Sequence, residues 1–311
     1  MLAIANPIQI QTYLFCAAAL LLPSEVTWAQ TQIQTQAQAQ AQAQTQTQTQ
    51  PPSPSSVMPT SPPVVTLPSS ADLEVLMKAP PRVFRVVEPH LSLGGQQVKK
   101  DYVGYPASAV FKVLLGPDWD RLPADIEFRA LDGYVSRIEI QRFKKYRAYL
   151  VFAIKDKTAF TVDNPGQNEK AVPLGPYYLV WDNIRSPELL QQEAADWPYQ
   201  VSQIAISTAR RQALLPGTLA QRFSEHAALA QKHCLTCHQV NGYGGDKWPI
   251  DLAVQAKSIP EAVFLAWVLN PSAQKPDTTM PPLLVSLPLE KRTTEAKKIY
   301  QYLRALPAKK D

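Results

Sequence analysis

The sequence predicts a multidomain chain: a disordered N-terminal tail, then an α+β domain rich in strands, then an all-α domain. Three observations carry this. Gln and Pro crowd residues 30–68 and leave almost nothing to bury. Apolar and polar residues alternate with a period of two in several segments of 71–213. Beyond 214, apolar residues recur at helical spacing. The expected boundaries are 1–29, 30–70, 71–213 and 214–311.

Residues 1–29 read as an export signal. Leu14 to Leu22 form a short apolar run, followed by Thr27-Trp28-Ala29 with cleavage expected after Ala29. The run is too short to span a bilayer, and no Lys or Arg precedes it. Cys16 lacks the small neighbours of a lipoprotein cleavage site. Removing this segment deletes one acid, Glu25, and no base, so the net charge of +5 rises by one. Such a mild charge makes no case for nucleic acid. No other segment reads as a membrane span.

From Gln30 to Gln50 every even-numbered residue is Gln, and seven prolines follow within 51–68. Neither stretch can bury a core, so 30–70 is expected to be disordered. It becomes a free end if the signal is cleaved and a membrane tether if it is not.

In the β-rich segment, strands are expected at Arg82–Val87, Asp125–Leu131, Tyr134–Ile140, Ala148–Ile154, Tyr177–Trp181 and Tyr199–Ile206. Ile126, Phe128 and Ala130 alternate with Glu127 and Arg129. Pro106–Leu115 reads as one helix, opened by Pro and stopped by Gly116-Pro117. Asp118 and Asp120 flank Trp119 in what reads as a solvated turn.

Arg210–Gly217 is the expected connector, broken at Pro216-Gly217. Leu219, Phe223, Ala227 and Ala230 then mark a helix. Ser258-Ile259-Pro260-Glu261 has the pattern of a capping box, opening a helix that ends near Asn270-Pro271. A last helix is expected from about Leu289 to Leu306, with Ala296, Ile299, Tyr300, Leu303 and Leu306 on one stripe. Leu219 and Phe223 are expected to meet Tyr300 and Leu303.

Cysteine use points to chemistry. Once Cys16 is lost, only Cys234 and Cys237 remain, in Cys234-Leu235-Thr236-Cys237-His238. C-x-x-C-H is the attachment signature of a c-type haem. Two thiols three residues apart can each add to one vinyl group of a single porphyrin. His238 then falls beneath the iron as proximal ligand. The competing readings are a thioredoxin-like pair and half a zinc site, but no second Cys pair exists to complete a four-thiolate site.

The segment that carries this motif resembles class I cytochrome c over nearly all of its length: a helix ending in the motif, a Pro-containing loop, a middle helix, a Met loop and a final helix. The resemblance implies one covalent haem c with a thioether as sixth ligand, at the position of Met280 in Thr279-Met280-Pro281. Met280 is the only methionine after residue 77. His226 and His233 precede the motif on the proximal side and are expected to be surface or supporting residues. The resemblance also implies that a proline carbonyl, matched by Pro249, accepts from His238. Residues 217–311 carry twelve Lys or Arg against eight Asp or Glu. Lys232, Lys247, Lys257 and Lys275 are candidates to steer an acidic redox partner.

Three segments of the β-rich domain carry a second resemblance. They are Phe128-Arg129-Ala130-Leu131-Asp132-Gly133-Tyr134, Gly175-Pro176-Tyr177-Tyr178-Leu179-Val180-Trp181 and Trp197-Pro198-Tyr199-Gln200-Val201. Val103-Gly104-Tyr105-Pro106 fits the same scheme. Together they resemble the short form of the oxidoreductase molybdopterin-binding domain, the sulfite-oxidase-like fold. Catalytic members hold molybdenum through a cysteine thiolate, and this domain has no cysteine. The resemblance therefore implies the fold, without a molybdenum cofactor. Its lone His90 has no Cys or second His beside it.

The expected function is single-electron transfer by an exported, periplasmic monohaem cytochrome. The β-rich domain would be the docking or scaffold module for a redox partner, such as a periplasmic dehydrogenase or a respiratory-chain acceptor. One alternative is an oxidoreductase subunit whose first domain binds a pterin or substrate and feeds the haem. The other is a haem-based sensor with an open sixth site.

Overall fold

Residues 64–92, 96–192, 194–208 and 214–307 are described by the computed structural model of the chain. The expected signal segment and the Gln-rich tract lie outside them. The ordered fold begins before the boundary expected at 71. Strand β1 (Val65–Thr66) pairs antiparallel at a sheet edge, and Leu67 is buried in the core. Helix α1 (Ser70–Met77) follows, with Asp72 N–H donating to the hydroxyl of Ser69 at 3.2 Å. A Ser at this cap and an Asp three residues on form a helix-start signal, outweighed in the sequence by the surrounding prolines.

The remaining elements of the first half are β2 (Arg82–Val87), β3 (Lys99–Pro106), α2 (Ala107–Leu114), β4 (Asp125–Ala130), β5 (Val135–Glu139), α3 (Ile140–Lys145), β6 (Ala148–Ile154), β7 (Thr161–Asn164), β8 (Glu169–Pro173), β9 (Tyr178–Trp181) and β10 (Val201–Ser207). They build two antiparallel four-stranded sheets, ordered β1-β10-β4-β5 and β2-β3-β6-β9, while β7 and β8 form a separate hairpin. A bridge from Tyr177 to Val201 joins the two sheets. On β4 the expected alternation holds only in part: Ile126 and Phe128 are fully buried and Arg129 is exposed, but Ala130 is only half-buried. Glu127 is buried as well, held by Arg129 and Arg137 at 2.7 Å each. Phe111, Trp119, Phe128, Phe143 and Trp181 form one aromatic cluster between the sheets, with ring centroids 4.9 to 6.5 Å apart.

The second half has its own apolar core. Its elements are α4 (Leu219–His233), the two-residue strands β11 (Gln239–Val240) and β12 (Tyr243–Gly244), α5 (Leu252–Ser258), α6 (Glu261–Leu269), α7 (Pro271–Gln274) and α8 (Leu289–Ala305). Helix α8 packs on α4, α5 and α6. The stripe read from the sequence is buried throughout, and Tyr302 joins it. Ala227 and Ala230 let α4 approach α8 closely. Phe223 meets Tyr302, with ring centroids 6.3 Å apart, while the ring of Tyr300 faces Phe264 at 5.2 Å. The expected capping box does not form. Pro260 is the N-cap of α6, and the hydroxyl of Ser258 instead donates to Gln255 O at 2.8 Å. Ser258 ends α5, so its side chain closes the preceding helix.

The described residues thus form a sheet-rich α+β structure. Among them, no helix is long and apolar enough to cross a membrane.

Candidate functional site

The Cys-Cys-His motif starts where α4 stops. Cys234 is the C-cap, its N–H donating to Ala230 O at 2.8 Å. The N–H groups of Cys237 and His238 both donate to Cys234 O, at 3.2 and 3.0 Å, so the motif coils through one further turn. Leu235 and Thr236 are buried, and Cys234, Cys237 and His238 are half-buried. The chemistry-bearing residues are thereby left closer to solvent than the two between them.

The next loop is stitched to this turn. Gly245 N–H donates to Leu235 O and Trp248 N–H to Cys237 O, both at 2.9 Å. Nδ1 of His238 lies 3.1 Å from the carbonyl oxygen of Trp248. The acceptor expected at Pro249 is thus found one residue earlier, because the turn closed by Ile250 N–H on Trp248 O aims that carbonyl at the imidazole. A carbonyl only accepts, so the contact places the proton on Nδ1 and leaves the Nε2 lone pair for a metal. Burial lowers the pKa of His238, outweighing the Trp248 hydrogen bond and favouring the neutral ring.

Both thiols are free. Burial, with a smaller contribution from Cys237, pushes Cys234 up to about 12. Burial likewise raises Cys237, against the pull of Lys247. A thioredoxin-like pair needs the opposite shift, toward thiolate. Among the described residues, no three His, Cys, Asp or Glu side chains come together as a metal-binding group.

Met280 is half-buried on the loop between α7 and α8 and packs against the same helical core as Cys234. Its N–H donates to the hydroxyl of Thr278 at 3.2 Å. Leu283 N–H donates to Val268 O at 2.8 Å, and Arg292 clamps the carbonyls of Leu283 and Leu269 at 2.8 and 2.7 Å. The loops around the site leave large apolar side chains exposed: Trp248 and Ile250 after His238, Val285 and Leu287 after Met280. His226 stays on α4, its ring edge-on to Phe223 at 5.4 Å and its buried Nδ1 without a protein partner.

Nothing in the residue pattern signals that the β-rich half touches this site. The turn between β4 and β5 lies against the motif. Val135 N–H donates to Thr236 O at 2.8 Å, and Asp246 N–H donates to Gly133 O at 3.0 Å. Gly133 has a φ of +86°, and a Cβ there would strike the Asp246 side chain and Lys247 N. Lys247 Nζ meets Asp132 at 2.8 Å, and Lys232 Nζ meets Asp196 at 3.2 Å. Tyr134 is pushed well above its ordinary pKa, first by burial and next by Cys237. On the Met280 side, Asn168 Nδ2 donates to Thr278 O at 2.9 Å.

These contacts change the reading of the lysines. Lys232 and Lys247 are taken by acids of the β-rich half, and Lys257 donates to Leu306 O at 2.6 Å. Lys275 is the most loosely held, 4.0 Å from Asp277. Asp118 pairs with Arg121 at 2.9 Å and Asp120 with Lys144 at 3.8 Å, which gives both acids of that turn a charge partner.

His90, read as lone, belongs to a buried cluster. Glu88 is fully buried and takes hydrogen bonds from Tyr102 Oη at 2.6 Å, Tyr178 Oη at 3.0 Å and His90 N at 3.1 Å, with His90 Nδ1 at 2.6 Å. Burial pushes the Glu88 carboxyl up, but His90 and the Tyr102 hydroxyl more than reverse it and hold the pKa below the ordinary value. Its tyrosine partners lie on β3 and β9, far from it in sequence.

No known family matches the chain, and no curated protein matches it.

Proposed function

We propose that this chain is an exported monohaem cytochrome c that moves single electrons, with the β-rich half as a scaffold against the haem site. The observation that carries the reading is the Cys-Cys-His turn with His238 Nδ1 held by a backbone carbonyl, which leaves Nε2 free to act as the ligand atom. The thiols of Cys234 and Cys237 are shifted away from the thiolate, which suits them poorly to disulfide exchange. Cys234 and Cys237 would anchor the porphyrin, His238 and Met280 would hold the iron, and Trp248 and Ile250 would cover apolar porphyrin surface. When bound, haem c supplies a one-electron couple, and His with Met ligation raises its potential relative to two histidines.

The β-rich half supports a non-catalytic role. Glu88 and His90, a buried carboxylate and imidazole of this half, are bonded to each other. Fusion through Asp132, Val135, Lys247 and Asn168 would hold the loops of both proposed ligands. The redox partner would be a periplasmic dehydrogenase or a respiratory-chain acceptor.

The test is to purify the protein from a periplasm able to attach haem and count iron and molybdenum per chain. One iron and no molybdenum supports the reading; near-stoichiometric molybdenum overturns it in favour of an oxidoreductase. Replacing Cys234 and Cys237 with Ser should abolish covalent haem. Met280→Ala should remove the long-wavelength thioether-to-iron band and lower the potential. A spectrum unchanged by Met280→Ala would favour a sensor with an open sixth site.

A further inference from the structure

A cleft in the β-rich half concentrates positive charge that the cytochrome reading does not use. It holds about 440 Å³ and is walled by Arg82, Lys144, Lys145, Arg147 and Arg185, with no carboxylate in its lining. Among the described residues, Arg82, Lys145 and Arg147 have no carboxylate within 4.0 Å, while Lys144 and Arg185 have only long contacts, 3.8 Å to Asp120 and 3.6 Å to Asp182. Other arginines of this half are tightly paired: Arg85 to Asp101, Arg129 and Arg137 to Glu127, all at 2.7 Å. The floor is rigid. Phe84 and Tyr149 stack at 3.8 Å, and the Tyr149 hydroxyl donates to buried Asp182 at 2.9 Å.

We propose that this cleft binds the phosphate chain of a small diphosphate or triphosphate compound. Five cations in one concavity repel one another, and with three lacking a carboxylate within 4.0 Å and two held only at long range, an entering anion would relieve that repulsion. A phosphate monoester brings a charge of only about −2. A longer phosphate chain carries more charge and spans more of the wall. Three of the cations are arginines, whose planar forks grip phosphate oxygens in pairs. A volume of about 440 Å³ admits a small molecule and excludes a folded domain. This inference stands apart from the haem reading and survives its failure.

The experiment is calorimetric titration of the full chain with inorganic tripolyphosphate and pyrophosphate at constant ionic strength. Orthophosphate and citrate serve as comparison anions. Tripolyphosphate should bind at least tenfold more tightly than orthophosphate, with one site per chain. The variant Lys145→Gln/Arg147→Gln, built on exposed side chains, should weaken it at least tenfold. Arg121→Gln, on a paired surface arginine outside the cleft, should leave it unchanged. Circular dichroism checks that each variant is folded. Three results would each overturn the assignment: no heat above the salt control, citrate binding equal to tripolyphosphate, or equal weakening by Arg121→Gln.

Discussion

Lys247 Nζ and Asp132 Oδ2 meet at 2.8 Å and join the turn between β4 and β5 to the residue just before Trp248. The Trp248 carbonyl is the one that receives His238, so this ion pair lies one residue from the group that orients the proposed iron ligand. Both side chains are largely buried, at 16% and 24% exposure. Burial works against the ammonium charge, but Asp132 and neighbouring Tyr199 keep the Lys247 pKa above its ordinary value. Asp132→Asn removes the negative partner and leaves a half-buried cation. Thermal unfolding should show a loss of about 1–3 kcal/mol. Adding Lys247→Met should recover part of it. Additive losses in the double variant would show that the pair does not couple the two halves.

Asn168 is the corresponding contact on the Met280 side. Its amide donates to Thr278 O at 2.9 Å, and the Thr278 hydroxyl accepts from Met280 N. The Asn168 side chain is exposed, so Asn168→Ala should cost little global stability, about 0.5–1.5 kcal/mol. In the haem-loaded protein it should loosen the Met280 loop and raise the affinity of added imidazole for the iron several-fold. Imidazole affinity unchanged by Asn168→Ala would remove the β-rich half from any part in holding that loop.

Six of the twelve strands among the described residues, and the long helices of the second half, were legible from apolar runs and periodicity. The stripe on α8 follows from its one buried face, whereas β4 reads as alternating but also buries Glu127. Strand β3 was not legible. It carries Lys99, Lys100 and Asp101 at its start, and its burial comes from pairing with β2 on one edge and β6 on the other. The Cys-Cys-His turn was legible because the haem attachment proposed for it would need fixed local spacing. Its clamp was not, since Gly133, Val135 and Asn168 meet it through backbone groups and one amide, none of which leaves a distinctive residue pattern. The shift from Pro249 to Trp248 has the same origin: a carbonyl acceptor is specified by backbone path.

Glu88 gives a pH dependence with a definite sign. Its folded-state pKa lies below the ordinary 4.5, so its stabilisation is fully present above that value and is lost as pH falls below it. Acid unfolding monitored between pH 7 and pH 2 should therefore show a limb to which Glu88 contributes. Glu88→Gln should destabilise the protein at pH 7 by about 3 kcal/mol, since His90, Tyr102 and Tyr178 lose a common charged acceptor in a buried site. The same variant should flatten the acid limb. An acid limb of unchanged slope would mean that Glu88 titrates alike in the folded and unfolded chain.

Ala230 tests whether the helix crossing and the motif are one mechanical unit. It is fully buried on α4, and its carbonyl accepts from both Cys234 N at 2.8 Å and Leu235 N at 2.9 Å. Any side chain that pushes α4 away from its packing partners therefore displaces the first residues of the motif. Ala230→Leu adds three carbons where there is no space, which should cost about 1–3 kcal/mol in thermal unfolding. Ala220→Leu, on an exposed position of the same helix, is the control for added volume and should be within about 0.5 kcal/mol of the parent. Hydrogen exchange at Cys234 and Leu235 separates the two consequences. Faster exchange there in Ala230→Leu, with the β-rich half unchanged, ties helix packing to the geometry of the turn. Uniformly faster exchange would mean that the substitution only lowers global stability.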